Sequence, residues 1–369
     1  MKSGHVLDCT VLEPGCTPEQ VTGIDQSRLP IFCQDWWTNI ARVSSEYHEL
    51  KAYHRNVVVG RLPLILSKSR FGLVAGLDPH WSHLGGPIVD DRLNRTEQAE
   101  VIRSLLQQLP RGASFRFVCN PDLSYADLVR SAFKESGFDH TTQMTYLRHP
   151  SWGDVLNSRK SKHKGHIRRA AKELDCVDVT AREFVQFYET NLNAKGKRSY
   201  SPLDTLELLI EEATSRGQAR AVAAKPNYRG QSVGHSPSAS YDAAIVYVWD
   251  HGRCYYWLST CRISSADNSD AKPHPDAIKL LAVKAMEDAQ AMNLIFDADG
   301  VTAPGTENLY RNMFGLRQEH HRDVFQRATV RATVLERSMQ KMRRFRQKFR
   351  RQFKASIPDF HFASKRLLP

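Results

Sequence analysis

Several signals are missing from this chain, and each absence excludes something. The seven cysteines, at 9, 16, 33, 119, 176, 254 and 261, form no C-x-x-C pair and no Cys/His cluster at ligand spacing. Neither a disulfide framework nor a zinc site is supported. No apolar run reaches the length needed to cross a bilayer. The opening MKSGHVLDCTVLEPG has one early lysine and no apolar signal core, so no secretory signal is read there. A cytoplasmic enzyme with reduced thiols is the expectation. What is present suffices for two cored domains: 369 residues, 41% hydrophobic and 9% aromatic.

The net charge of +12 is concentrated. Asn157 to Lys172 carries seven Lys or Arg and no acid, and Arg327 to Lys354 carries eleven against Glu336 alone. The rest of the chain is therefore mildly acidic. Basicity confined to two elements points to a polyanionic partner docking at defined places.

Along the chain, periodicity predicts helices over Asp35 to Tyr47, Thr96 to Gln108, Tyr125 to Ser136, Ala181 to Asn191, Ser201 to Ser215 and Pro275 to Ala291. Val57 to Leu66 reads as a hairpin or bent strand, with Pro63 placing it at a sheet edge. Phe115 to Val118, Gln143 to Leu147 and Ala219 to Ala224 read as strands. Ala243 to Trp249 and Cys254 to Ser259 pair around Asp250-His251-Gly252-Arg253, a hairpin signal. A last strand is expected around His321 to Arg327. Lys225 to Ser240 and Ser264 to His274 are rich in turn formers and border the strand ends, either as surface loops or as lids.

The stretch Leu294-Ile295-Phe296-Asp297-Ala298-Asp299-Gly300 is a short apolar strand ending in two carboxylates and a glycine. Carboxylates at the C-terminal end of a buried strand suit an α/β active site, and they equally suit a capped turn. Strand alternation turns Phe296 into the core and sends Asp297 and Asp299 the other way together. Such a carboxylate can orient a cation or take a proton, with Asp299 the first candidate and Asp297 the second. Tyr310 and Arg311, on the following helix, are candidate substrate contacts, with Tyr310 alternatively packing on Phe314. His80 and His83 stand three apart with no third ligand nearby, so no metal is expected.

Taken together, Lys164-Gly165-His166-Ile167-Arg168-Arg169-Ala170-Ala171-Lys172 and the late block Phe296-Asp297-Ala298-Asp299-Gly300-Val301, Pro304-Gly305, Tyr310, Phe314-Gly315 carry a family signature. The chain resembles the FemAB-like branch of the GNAT acyltransferase superfamily over roughly residues 30 to 330. That branch has a basic "R-x-x-I-R-x-A-x-K" helix and a late "FDFEGS…PG…Y/F-x-x-FG" block; here Asp299 replaces Glu and Val301 a small hydroxyl residue. Phe32-Cys33-Gln34-Asp35-Trp36-Trp37 matches the family's aromatic opening helix. His83, Gly85 and Pro87 match its "G-x-P" segment lining the acceptor cleft.

The resemblance implies an α/β fold with mixed sheets: two tandem GNAT-like halves, 1–150 and 181–330, joined by a basic helix within 151–180; beyond them, the residue pattern itself gives a basic helical tail, 331–369. It implies amide formation, with Trp36, His83 and Gly85 near substrate and Lys164, Arg168, Arg169 and Lys172 binding it. Aminoacyl-tRNA is the favoured co-substrate and a small metabolite amine or cell-wall precursor the acceptor, with no tightly bound cofactor. Acyl-CoA is the alternative donor, although Thr260 to Asp267 lacks the glycines of the usual pyrophosphate loop. In the tail, Leu335, Met339, Met342, Phe345, Phe349 and Phe353 form a helical stripe, with Arg343, Arg344, Arg346, Arg350 and Arg351 on other faces. A basic amphipathic helix suits RNA, an anionic membrane surface or lipid-linked substrate, or docking on the body. A non-catalytic RNA- or surface-binding protein on this scaffold is the remaining alternative.

Overall fold

The computed structural model describes residues 8–12, 24–42, 46–69, 72–156, 161–199, 201–227, 241–263, 272–300 and 304–330. The tail, with Arg343, Arg344, Arg346, Arg350 and Arg351, lies outside the described residues, as do 228–240, 264–271 and Val301.

The elements run β1 (Asp8–Leu12), α1 (Asp35–Ala41), β2 (Tyr47–His54), β3 (Val57–Lys68), β4 (Val74–Leu77), β5 (Ile88–Val89), α2 (Arg95–Gln107), β6 (Ala113–Cys119), α3 (Ala126–Glu135) and β7 (Asp139–Arg148). Then come α4 (Ser161–Glu173), β8 (Leu174–Asp178), α5 (Ala181–Ala194), α6 (Leu203–Ser215), β9 (Ala219–Pro226), β10 (Ala243–Trp249) and β11 (Arg253–Cys261). The chain closes with α7 (Ala277–Ala291), β12 (Ile295–Gly300), α8 (Pro304–Asn308), a π-turn (Leu309–Met313) and β13 (Arg317–Arg327).

Local chemistry accounts for many boundaries. Asn94 with Glu97 opens α2, and Thr180 with Glu183 opens α5, each as a reciprocal capping box. The β10–β11 turn is held by Asp250, whose Oδ1 accepts the Gly252 and Arg253 N–H groups at 3.0 Å each. Two expectations are corrected. The helix from Asp35 stops at Ala41, and Tyr47 already belongs to β2. Buried Glu49 and Lys51 disguise that strand; Glu49 is ion-paired to Arg42, Lys51 and Arg61, which lets the charges enter the sheet. Nor is β3 an edge strand, since it pairs with β2 along its length and with β5 and β4 on its other side. Pro63 falls between the β5 contact at Gly60–Arg61 and the β4 contact beginning at Ile65, where no ladder needs its N–H.

All described strands join one sheet, ordered β1-β2-β3-β4-β6-β13-β7-β12-β11-β10-β9-β8, with β5 on β3. β13, late in the chain, pairs with β6 and β7, while β7 pairs on its far side with β12. The strands from the two ends of the chain thus interleave at the middle of the sheet. Layers of helices cover it: α2 and α3 over the early strands, α4 and α7 against one face of the late strands, α5 and α6 against the other. Phe325 of β13 is fully buried, stacked on Phe133 of α3 at 4.2 Å. Phe325→Leu should cost about 1–2 kcal/mol, the lower part of the large-to-small range. Because β13 ties early strands to late ones, urea unfolding should then show a single shifted transition. Two separated transitions would contradict the interleaving as the basis of stability.

Candidate active site

Two irregularities at the sheet centre bring distant residues together. The β12–β7 register slips between Asp297 and Gly300, so the chain bulges at Ala298–Asp299, and Asp299 takes a left-handed φ of +66°. The β13–β7 register slips between His320 and Arg322. Bulges re-aim side chains. Here both aim at one spot, where the Arg322 guanidinium meets Asp299 through Nη1 and Asp297 through Nη2, the latter at 3.2 Å. Asp297 is 1% exposed, and its Oδ1 accepts the Asp299 N–H at 2.8 Å, which fixes the left-handed turn. Burial disfavours the charge of Arg322, but Asp299 and Asp297 outweigh it and hold the guanidinium above its ordinary value.

A second opening lies in the early strands. β4 and β6 pair in parallel only as far as Leu77 opposite Arg116. Beyond that point the ladder is replaced by side-chain and loop contacts: Asp78 Oδ2 accepts the Val118 N–H at 3.0 Å, and the Gly85 N–H donates to Val118 O at 2.7 Å. Asp78 Oδ1 is sealed from solvent with no hydrogen-bond partner among the described residues. Burial pushes the Asp78 carboxyl up to about 7, against the opposing Val118 N–H and Arg116 charge. Gly85 makes the room, because a Cβ there would lie 2.0 Å from Asp78 Oδ1. Gly85→Ala should therefore displace the carboxylate and cost about 1–3 kcal/mol by overpacking. A thermal melt checks this, and an unchanged Tm would show that Asp78 moves aside freely.

The two openings share a cavity of about 470 Å³, whose lining includes Asp78, His80, Trp81, His83, Arg116, Gln143, Ser201, Asp299 and Arg322. His83 Nδ1 comes within 3.2 Å of Asp299 Oδ2, and its ring stacks on Phe32 at 5.3 Å. Burial lowers the His83 imidazole below its usual value, with Asp299 opposing, so the ring is neutral at pH 7. Carboxylates, a neutral imidazole and a buried guanidinium thus converge on a space sized for a small molecule.

No protein-family model and no curated protein matches the sequence. Among solved structures, the crystal structure of FemX superposes with a TM-score of 0.53 at 12% identity, over 80% of this chain and 91% of that one. This chain shares the fold of FemX. Also similar are a C-terminal domain of a putative lysylphosphatidylglycerol synthetase from Agrobacterium fabrum (TM-score 0.47, 13% identity, 75% and 83% of the two chains) and a tandem GNAT protein from the clavulanic acid biosynthesis pathway (0.46, 11%, 76% and 82%).

Within this FemX-like fold, the sequence candidates fall at different places. Asp299 and His83 line the cavity, and Gly85 supports it from behind Asp78. Asp297 is buried among Arg322, the Asp299 N–H and Arg253, whose Nη1 is 3.9 Å away. Tyr310 is 7% exposed, its ring packed on Tyr146 and Phe314. Arg311 donates to Gln318 on the surface. Trp36 lies in a separate depression, where its indole donates to Gln34 and Arg216 sits over its ring. On α4, Ile167 and Ala170 are buried while Arg168, Arg169 and Lys172 face solvent, and His166 contacts Asp276 at 3.0 Å to seat the helix against α7. Lys164, on the same helix, is partly buried. Sequence reading passed over Asp78 and Arg322. Asp78 carries the same signal as Asp297, an acid ending a short apolar strand. Arg322 shows only as a charge inside a strand.

Proposed function

We propose that the protein transfers an acyl or aminoacyl group to a small amine, forming an amide. The observation that carries this reading is the shared cavity, where a proton acceptor with a near-neutral carboxyl, Asp78, and a carboxylate anchored by Arg322, Asp299, line one space. An ammonium acceptor is attracted and oriented by Asp299. Asp78, ionised at and above neutrality, takes its proton, and the free amine attacks the activated carbonyl. The neutral His83 ring lies beside Asp299 Oδ2 without competing as a cation. Asp297 holds the bulge that presents Asp299.

Aminoacyl-tRNA is the favoured donor. Arg168, Arg169 and Lys172 stand exposed on one helix, where phosphate contacts by Lys and Arg are available. Acyl-CoA is the second reading, favoured by the parting of parallel β11 and β12 after Tyr255 opposite Asp297, which leaves a wedge beside the strand ends.

The deciding experiment measures binding of the full chain to bulk charged tRNA and to acetyl-CoA across a salt series, with an amine panel added and amide product followed. Affinity for tRNA that falls steeply with salt, with deacylation stimulated by an amine, supports the first donor. Selective acetyl-CoA binding with thiol release supports the second. Absence of any amide from either donor sinks the transfer reading. Asp299→Asn is the matched control: asparagine tolerates positive φ, so the turn survives while the carboxylate is lost.

A further inference from the structure

The cavity holds a pair that proton transfer to an amine leaves unused. Ser201 is 8% exposed, and its Oγ lies 3.0 Å from Nδ1 of His80. Burial lowers the His80 imidazole below its usual value, opposed by the Glu46 carboxylate, and Glu46 lines the same cavity. A neutral imidazole has one acceptor nitrogen. In the tautomer with the ring proton on Nε2, Nδ1 accepts from the Ser201 hydroxyl.

The spacing is fixed from both sides. Trp81, next to His80, has a left-handed φ of +64°, and its indole N–H donates to the carbonyl of Pro202, next to Ser201, at 2.9 Å. The Trp81 carbonyl in turn accepts the Trp257 indole at 2.9 Å. A non-glycine residue held at positive φ costs free energy and persists where its surroundings enforce it. Ser201 also stands just ahead of α6, whose first turn receives no side-chain cap from Pro202. Developing negative charge beside that helix start is favoured by its N–H groups.

We propose that Ser201 is an acylation nucleophile with His80 as its base, so that activated acyl groups pass through a serine ester. The Ser201 oxygen attacks the carbonyl carbon of an activated ester or thioester while its proton moves to His80. The carbonyl–leaving-group bond breaks, and the alcohol or thiol departs with that proton. An amine then attacks the ester and gives its proton to His80, which returns one to Ser201 as the amide leaves; water in its place gives the acid. This inference rests on the reading that the cavity handles activated acyl groups, and it adds a covalent step to it.

The test mixes the full-length protein with p-nitrophenyl acetate, follows nitrophenolate release by stopped flow, and maps the acetyl group by mass spectrometry. The expected result is a burst of one equivalent, with the acetyl on Ser201. The burst should vanish in Ser201→Ala and slow roughly 10²–10⁴-fold in His80→Gln, while Ser201→Cys restores labelling as a thioester. Acetylation elsewhere, or an equal burst from Ser201→Ala, overturns the proposal. A serine ester with no amide product from any amine upholds the nucleophile and sinks the transfer reading. Amide formed at the full rate by Ser201→Ala does the reverse.

Discussion

Asp78→Asn is expected to lower amide formation by roughly 10²–10⁴-fold, the usual worth of a positioned proton acceptor. It should do so while raising stability at alkaline pH. The rate effect has a pH signature. With the Asp78 carboxyl at about 7, the wild-type kcat/KM should rise with pH below that point and level off above it. The Asp78→Asn variant should lack that limb. The stability effect follows from linkage, with its sign set by the upward shift from the ordinary value of 3.8. Below the unfolded value both states hold the proton and Asp78 costs nothing. As pH climbs from about 4 through 7 the unfolded chain ionises first, so the folded state loses stability progressively, and the loss is complete above 7. A neutral amide escapes it, giving a gain of about 1–3 kcal/mol at pH 8, below the full value of the shift because the side chain is only half-buried. Urea denaturation of both proteins at pH 5 and pH 8 measures this. Equal differences at the two pH values would mean that Asp78 titrates as an ordinary surface acid, and its role as proton acceptor would go with it.

How far the molecule was legible in its sequence follows from the range of each signal. The apolar spacing of Ile278, Leu281, Ala282, Ala285 and Ala289 and the Asp250–Arg253 turn are local, and α7 and the β10–β11 hairpin stand where they predict. The alternation at Phe296 to Asp299 is local too: Phe296 and Ala298 are in the core, and both acids reach Arg322. The interleaving of β7 and β13 has no local signal, since it is decided by which strands meet from distant parts of the chain. The cavity is a product of that interleaving. Asp78, Gln143, Ser201 and Arg322 are unexceptional one at a time, and two bulges and a parted ladder make them neighbours of Asp299. Charged residues hidden in strands, Glu49 and Lys51 in β2 and Arg322 in β13, are illegible for the same reason. Compensating partners such as Arg61 for Glu49 and Asp297 for Arg322 come from other elements.

Arg322 tests how far that central cluster holds the fold together. It is 3% exposed and shared between Asp297, 1% exposed, and Asp299, whose side chain is 30% exposed. Arg322→Met removes the cation and leaves Asp297 in the core with Arg253, 3.9 Å from the same carboxylate oxygen, as its remaining cation. An abandoned buried charge costs about 3–5 kcal/mol, where loss of an exposed ion pair costs at most about 1. Arg322→Lys should recover little, because one ammonium cannot reproduce the two-pronged contact with both carboxylates. The double variant Arg322→Met with Asp297→Asn should recover much of the loss, since the penalty belongs to the unpaired charge and not to the absence of the pair. It should remain inactive, because the Arg322 contact that anchors the Asp299 carboxylate is gone even where Oδ1 of residue 297 still accepts the Asp299 N–H. A single-variant loss near 1 kcal/mol, the size of an exposed pair, would mean that water reaches Asp297. Recovery of activity in the double variant would show that the cavity does not depend on the Arg322 contact with Asp299.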